Sequence, residues 1–132
     1  DALGSYYRDY RDEVAQALKE AEETGRDRLF HGATALIVIG MRPGASCPAE
    51  DALLATQNML LAAHAMGYDT CLIGFAVEAM KHDPRIKEQL DIPRGERVYS
   101  VIAMGRGKVG FRRPVQRRNP VVRSVAPRKG NQ

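Results

Sequence analysis

The sequence predicts an α+β domain in which a central mixed sheet is flanked by helices. Three observations carry that expectation. Apolar residues switch along the chain between a helical spacing and short β-branched runs, in the order helix, strand, helix, strand, two short helices, strand. Glycine and proline stand at nearly every change of period, where they punctuate backbone structure. The strands are few, so they read as a piece of a larger sheet inside one domain covering residues 1–132.

Residues 6–23 place Val14, Ala17, Leu18 and Ala21 on one face, with Lys19, Glu20, Glu22 and Glu23 on the others, and Gly25 follows. This is an amphipathic surface helix with a glycine stop. The run Ala35 to Ile39 is apolar throughout and rich in β-branched side chains, ended by the loop Gly40-Met41-Arg42-Pro43-Gly44, and reads as a buried central strand. A second helix spans 48–66. It opens on Pro48 with Glu50 and Asp51 in the first turn and ends at Gly67. Leu53, Leu54, Met59, Leu60, Leu61 and Met66 leave it almost no polar face, so its sheet and a second subunit are expected to cover it.

Residues 70–75, Thr-Cys-Leu-Ile-Gly-Phe, form a short strand or an extended turn whose Gly74 interrupts an apolar run, a sign of close backbone approach. Helical pattern resumes at 77–81 and restarts at Asp83-Pro84, with Ile86 and Leu90 directed inward. Arg97 to Met104 is the strongest strand, stopped by Gly105 and Gly107. From about 106 a basic, proline-containing tail has no period and is expected to run extended over the surface.

The composition, 44% hydrophobic and 27% charged, is that of an ordinary globular protein, and no apolar run approaches the roughly 20 residues that span a bilayer. With no initiator Met and no basic segment ahead of an apolar stretch, the chain shows no signal peptide and reads as cut at its N-terminus. Cys47 and Cys71 lie far apart without a CxxC pair or matching histidine spacing, so reduced thiols in the cytoplasm are expected and no metal site is. His31, His64 and His82 show no carboxylate or cysteine partner in the sequence and read as structural or solvated. The net charge of +4 conceals an asymmetry: residues 1–105 carry 11 Lys/Arg against 16 Asp/Glu, residues 106–132 carry 9 against none. Such a tail binds phosphates, many on a nucleic acid or one on a cofactor, or is a solvated end. Only Phe111 interrupts it with an aromatic ring, which disfavours a base-stacking platform for nucleic acid.

Four pieces of the chain, in order, resemble the nitroreductase family over about residues 32–125. The first is the helix from Ala49 through Asn58, Leu61-Ala62-Ala63 and Gly67, continuing to Gly74-Phe75. Next come Leu90-Asp91-Ile92-Pro93-Arg94-Gly95-Glu96-Arg97-Val98, then a strand ending Met104-Gly105, then the basic segment Arg112-Arg113-Pro114-Val115-Gln116-Arg117-Arg118. The resemblance implies the C-terminal portion of a nitroreductase-like domain, FMN at a homodimer interface, and NAD(P)H and an electron-poor acceptor, such as a nitro-aromatic or quinone, binding in turn over the flavin. The redox chemistry is then the cofactor's and no side chain is a catalytic residue. Leu72, Ile73 and Gly74 fall where the family's main chain contacts the ring, with glycine admitting close approach. Arg117 and Arg118 fall where the closing segment reaches the FMN phosphate, a fit for a guanidinium. Three departures stand out. Many relatives carry an acidic residue where Ile73 stands, Thr34 stands near the place of the family's proline ahead of the first core strand, and the family's arginine-rich N-terminal helix has no counterpart before Asp1. A non-catalytic, dimerising remnant of the same fold with weak or no flavin binding is the alternative.

Overall fold

The alternation of periods is realised, element for element, in a computed structural model that describes residues 10–108, 110 and 123–124. In chain order these are α1 (Arg11–Thr24), β1 (Ala35–Met41), α2 (Pro48–Ala65), β2 (Asp69–Leu72), α3 (Gly74–His82), α4 (Pro84–Gln89) and β3 (Arg97–Gly105). The α+β class holds, and both ladders among the described strands run antiparallel in the order β1-β3-β2.

The sheet order corrects one expectation. β1 lies at an edge of the described sheet and β3 takes the centre. β3 is the longer strand, nine residues against seven and four. It buries Val101 and Ala103 on one face and Ser100 and Ile102 on the other, and Ile102 is 0% exposed. A strand covered on both faces and paired on both edges has no side left for water. The register between β1 and β3 slips between Ile39 and Gly40, which face Ser100 and Val98, so Tyr99 is the extra residue of a bulge. That insertion resets the two-residue alternation and lets Val98 join the face of Val101 and Ala103.

α3 and α4 cover one face of β3: Ile73, Ala76 and Met80 pack with Val98, Val101 and Ala103, and Phe30, Ala33, Val77, Ile86 and Ile92 close around them. α2 covers the other face, where Ala52 meets Ile39 and Ile102, with Leu60 and Tyr99 at the margin. Its inward residues are small, Ala52, Thr56 and Ala63, and the Thr56 hydroxyl donates to the Ala52 carbonyl at 2.7 Å, which satisfies a buried polar group within the helix. The outward side carries Leu53, Leu54 (66% exposed), Leu61 (60% exposed) and Met66. The sheet therefore covers one side of α2 only. α1 buries none of its residues, and Val14 and Leu18 stand exposed on its apolar stripe. Gly25 ends α1 in the left-handed region at φ 73°, its N–H donating to the Ala21 carbonyl at 2.9 Å, the expected glycine stop.

Two further expectations change at element ends. α3 begins at Gly74 and not at 77, so Gly74 opens a helix where a strand interruption was expected. α4 begins on the expected cap, with Asp83 accepting from the Arg85 N–H at 3.0 Å and Pro84 following. It brings Ile86 inward but stops at Gln89. Leu90 is its C-cap and Asp91 follows at φ 54°, so the helical period is broken before Leu90, which stays half exposed. Ile102→Ala is expected to cost about 2–5 kcal/mol in urea unfolding, because Ile102 fills a space closed on both sides. Leu90→Ala is expected to cost under about 1 kcal/mol, as for other substitutions away from the core.

Candidate functional site

The turn from β2 into α3 brings three of the expected site residues together. Leu72 ends the ladder opposite Ile102, and the Ile73 N–H continues it by donating to the Val101 carbonyl at 2.9 Å. At φ −106° and ψ 82° Ile73 then turns the chain out of the sheet, its side chain sinking into the core against Ala76 and Val101. Gly74 follows as the first residue of α3. The helix start has no side-chain cap, and the Gly74 N–H has no hydrogen-bond partner among the described residues. A Cβ built on Gly74 meets no atom of the described residues within 4 Å, so among them the space beside this main chain is open. Leu72 and Phe75 are exposed on either side. Arg117 and Arg118 lie outside the described residues.

A hollow of about 440 Å³ lies at the other end of β2, between residues 30–34, 68–71 and 103–107. One wall is a loop organised by Asp27, whose carboxylate accepts from the N–H groups of Leu29 (2.9 Å), Phe30 (2.8 Å) and Gly32 (3.1 Å). Those bonds hold His31 and Gly32 in the left-handed region at φ 57° and 68°, and Thr34 then joins the sheet by donating its N–H to the Met104 carbonyl at 3.1 Å. On the opposite wall the Arg106 guanidinium lies 6.0 Å from the Tyr68 ring centroid. The Asp69 carboxylate fills the place a side chain at 107 would occupy, so any residue larger than Gly107 would have to displace it.

The hydrogen bonds from Phe30, and those from Gly32 and Leu29, hold the Asp27 carboxyl below its usual pKa against the opposing effect of desolvation. The Asp83 carboxyl is lowered in the same sense by the Arg85 side chain and N–H. Sequence reading missed the Asp27 loop, although an Asp followed by residues tolerant of the left-handed region is the signal for it. It also left His82 without a carboxylate, whereas Nε2 of His82 stands 3.4 Å from Oε2 of Glu78, one helical turn earlier. Cys47 and Cys71 are free and exposed, and no group of three or more potential metal-ligating side chains occurs among the described residues. No described helix is long and apolar enough to cross a membrane.

A family model described as Nitroreductase family matches residues 5–106. Among solved structures, a nitroreductase with bound FMN from Bacteroides fragilis NCTC 9343 superposes with a TM-score of 0.63 at 20% identity, over 90% of this chain and 70% of that one. A nitroreductase with bound FMN from Desulfitobacterium hafniense DCB-2 gives 0.58 at 23% identity, over 77% of this chain and 55% of that one. An FMN-dependent nitroreductase from Clostridium difficile R20291 gives 0.56 at 24%, over 87% and 74%. Likeness at these identities shows the fold. No curated protein sequence matches the chain.

Because the folded-state pKa of Asp27 lies below its unfolded value, its contribution to stability is present above the unfolded pKa and is lost as pH falls through the folded one. Asp27→Ala is therefore expected to lower the thermal midpoint at pH 7. The deficit relative to the parent should narrow as pH falls below about 4. A deficit that stays constant down to pH 2 would show that the carboxylate charge is not what holds the loop.

Proposed function

The chain belongs to the nitroreductase family, and from that membership we propose that it is an FMN-dependent oxidoreductase passing a hydride from NAD(P)H through the flavin to nitro-aromatic, quinone or related electron-poor acceptors, working as a homodimer. The observation that carries the reading is the bare main chain at Gly74, set at the turn where the resemblance lays backbone against the ring. Open space beside a glycine, with an uncommitted N–H at the start of a helix, fits a flat group seated on the main chain. The Ile73 N–H is already spent on Val101, so Gly74 is the donor this turn can offer a bound ring. The Ile73 side chain is aliphatic, so it supplies no acid or base, and its place in the core anchors the turn.

Bound flavin supplies the two-electron chemistry. The chain's own share is to seat the ring at Leu72, Ile73 and Gly74 and, through Arg117 and Arg118, to offer guanidinium groups to the phosphate. The apolar outward side of α2, with Leu53, Leu54, Leu61 and Met66, supports a second copy as the covering surface. Because the chain spans between 55% and 74% of the three solved structures above, a dimerising form of the fold with weak or no flavin binding is the second reading. Absorbance of the purified chain in the flavin bands separates the two.

Gly74→Ala tests the seat. An added methyl meets no atom of the described residues and the first helical position tolerates alanine, so the apo protein should keep its thermal midpoint. A ring pushed off by about an ångström should lose most of its affinity or cost on the order of a hundredfold in turnover with NAD(P)H. Full flavin content with unchanged turnover would remove the seat from this turn. In light scattering at micromolar concentration the parent is expected to be a dimer. Leu54→Lys with Leu61→Lys should weaken it by at least about a hundredfold, each exposed leucine being worth about 1.5–3 kcal/mol when covered. A parent that is monomeric without aggregating would overturn the homodimer.

A further inference from the structure

The hollow at the far end of β2 combines an apolar lining with two opposite charges. Phe30, Ala33, Tyr68, Ala103 and Met104 supply the apolar surface, and the volume of about 440 Å³ falls within the roughly 300–1,000 Å³ of small-molecule sites. Its loop wall is held in place by the three N–H groups on Asp27 and by the bond from the Thr34 N–H to the Met104 carbonyl. Apart from the imidazole of His31, the charged side chains lining it are Asp69 and Arg106. Register makes them neighbours, since Asp69 faces Gly105 across the ladder. They nevertheless form no ion pair with each other or with any other described residue. The Arg106 guanidinium lies toward the Tyr68 ring and the Asp69 carboxylate against residue 107, so each charge is turned to a different neighbour.

We propose that this hollow is a binding site for a free α-amino acid with an apolar side chain. The ammonium is held at Asp69, the carboxylate at Arg106 and the side chain against the apolar lining. A simple anion brought to Arg106 would meet the Asp69 carboxylate nearby, and a simple cation brought to Asp69 would meet the guanidinium. A dipolar ion satisfies both charges at once. The planar guanidinium fork suits a carboxylate, and burial of the side chain supplies affinity to which the two charges add orientation. The inference stands apart from the flavin reading and holds for the chain with or without cofactor.

The test is calorimetric titration of the full chain with L-phenylalanine, compared with glycine, N-acetyl-L-phenylalanine and L-phenylalaninamide. Glycine, which lacks the apolar group, should bind at least about tenfold more weakly. Each blocked derivative should lose about tenfold, the lower end for a hydrogen bond to a charged group because Asp69 and Arg106 are both exposed. Asp69→Asn should weaken L-phenylalanine by the same factor and leave the N-acetyl derivative unchanged, and Arg106→Gln should do so while leaving the amide unchanged. Cys71 lines the hollow and Cys47, at the N-cap of α2, does not. Saturating L-phenylalanine should therefore slow alkylation of Cys71 by iodoacetamide and leave Cys47 at its own rate. No saturable heat up to about 10 mM L-phenylalanine overturns the proposal. Equal affinity for L-phenylalanine and its blocked derivatives, measured on the parent chain and so independent of any variant's folding, overturns it by showing an apolar hollow without charge recognition. Binding that leaves Cys71 unprotected puts the ligand elsewhere and overturns it as well.

Discussion

Everything in the described fold depends on how β3 is enclosed. It hydrogen-bonds to β1 along one edge and to β2 along the other, and its two faces are closed by α2 and by α3 with α4. A strand in that position must be apolar on both faces. Val98, Val101, Ile102 and Ala103 meet the requirement, with Ser100 the one buried polar residue among them. The bulge at Tyr99 makes the arrangement possible, because strict alternation would have turned Val98 away from the α3 side. Arg97 and Tyr99 at the bulge stay near the surface, the guanidinium 5.1 Å from the ring centroid.

The turn at Leu72–Gly74 is a consequence of that enclosure. β2 pairs with β3 over only four residues, and the Ile73 N–H then takes one more carbonyl, that of Val101, before the chain leaves the sheet. Burial of the Ile73 side chain fixes the angle at which α3 departs, and so aims the start of that helix. The core residue and the exposed glycine are therefore two halves of one device, the first holding the backbone still and the second leaving it accessible. Rigid support beneath an open main chain is what a tightly positioned flat ligand requires.

Much of this was legible in the sequence because local chemistry decided it. Gly25 as a helix stop, Pro48 and Asp83-Pro84 as helix starts and the apolar run Arg97 to Met104 as a strand are each set by a few neighbouring residues. What sequence left open was decided by partners distant along the chain. The runs at 35–39 and 97–104 are both apolar, and only the pairing tells which is central. Gly74 serves equally as a strand interruption and a helix start, and the contact of Ile73 with Val101 selects the second. Leu90 keeps the helical spacing of Ile86 but lies past the residue at which α4 ends. At the candidate site motif order singles out Leu72, Ile73 and Gly74 as expected contacts, whereas the ring of Tyr10 beside Phe75 carries no signal in one sequence. Arg117 and Arg118 belong to the segment outside the described residues.

The absence of buried residues in α1 has a consequence for how the molecule breathes. A helix that contributes no side chain to either core cluster can fray or detach without disturbing β3. Its amides should thus exchange with solvent through local opening, far faster than those of the central strand, and proteases should find it before they find the sheet. Tyr10 against Phe75 at one end, and Glu20 paired with Arg26 and Arg28 near the other, are contacts that hold it to the body. Substitutions on α1 are then free to alter what the protein meets at that surface while leaving its capacity to fold untouched.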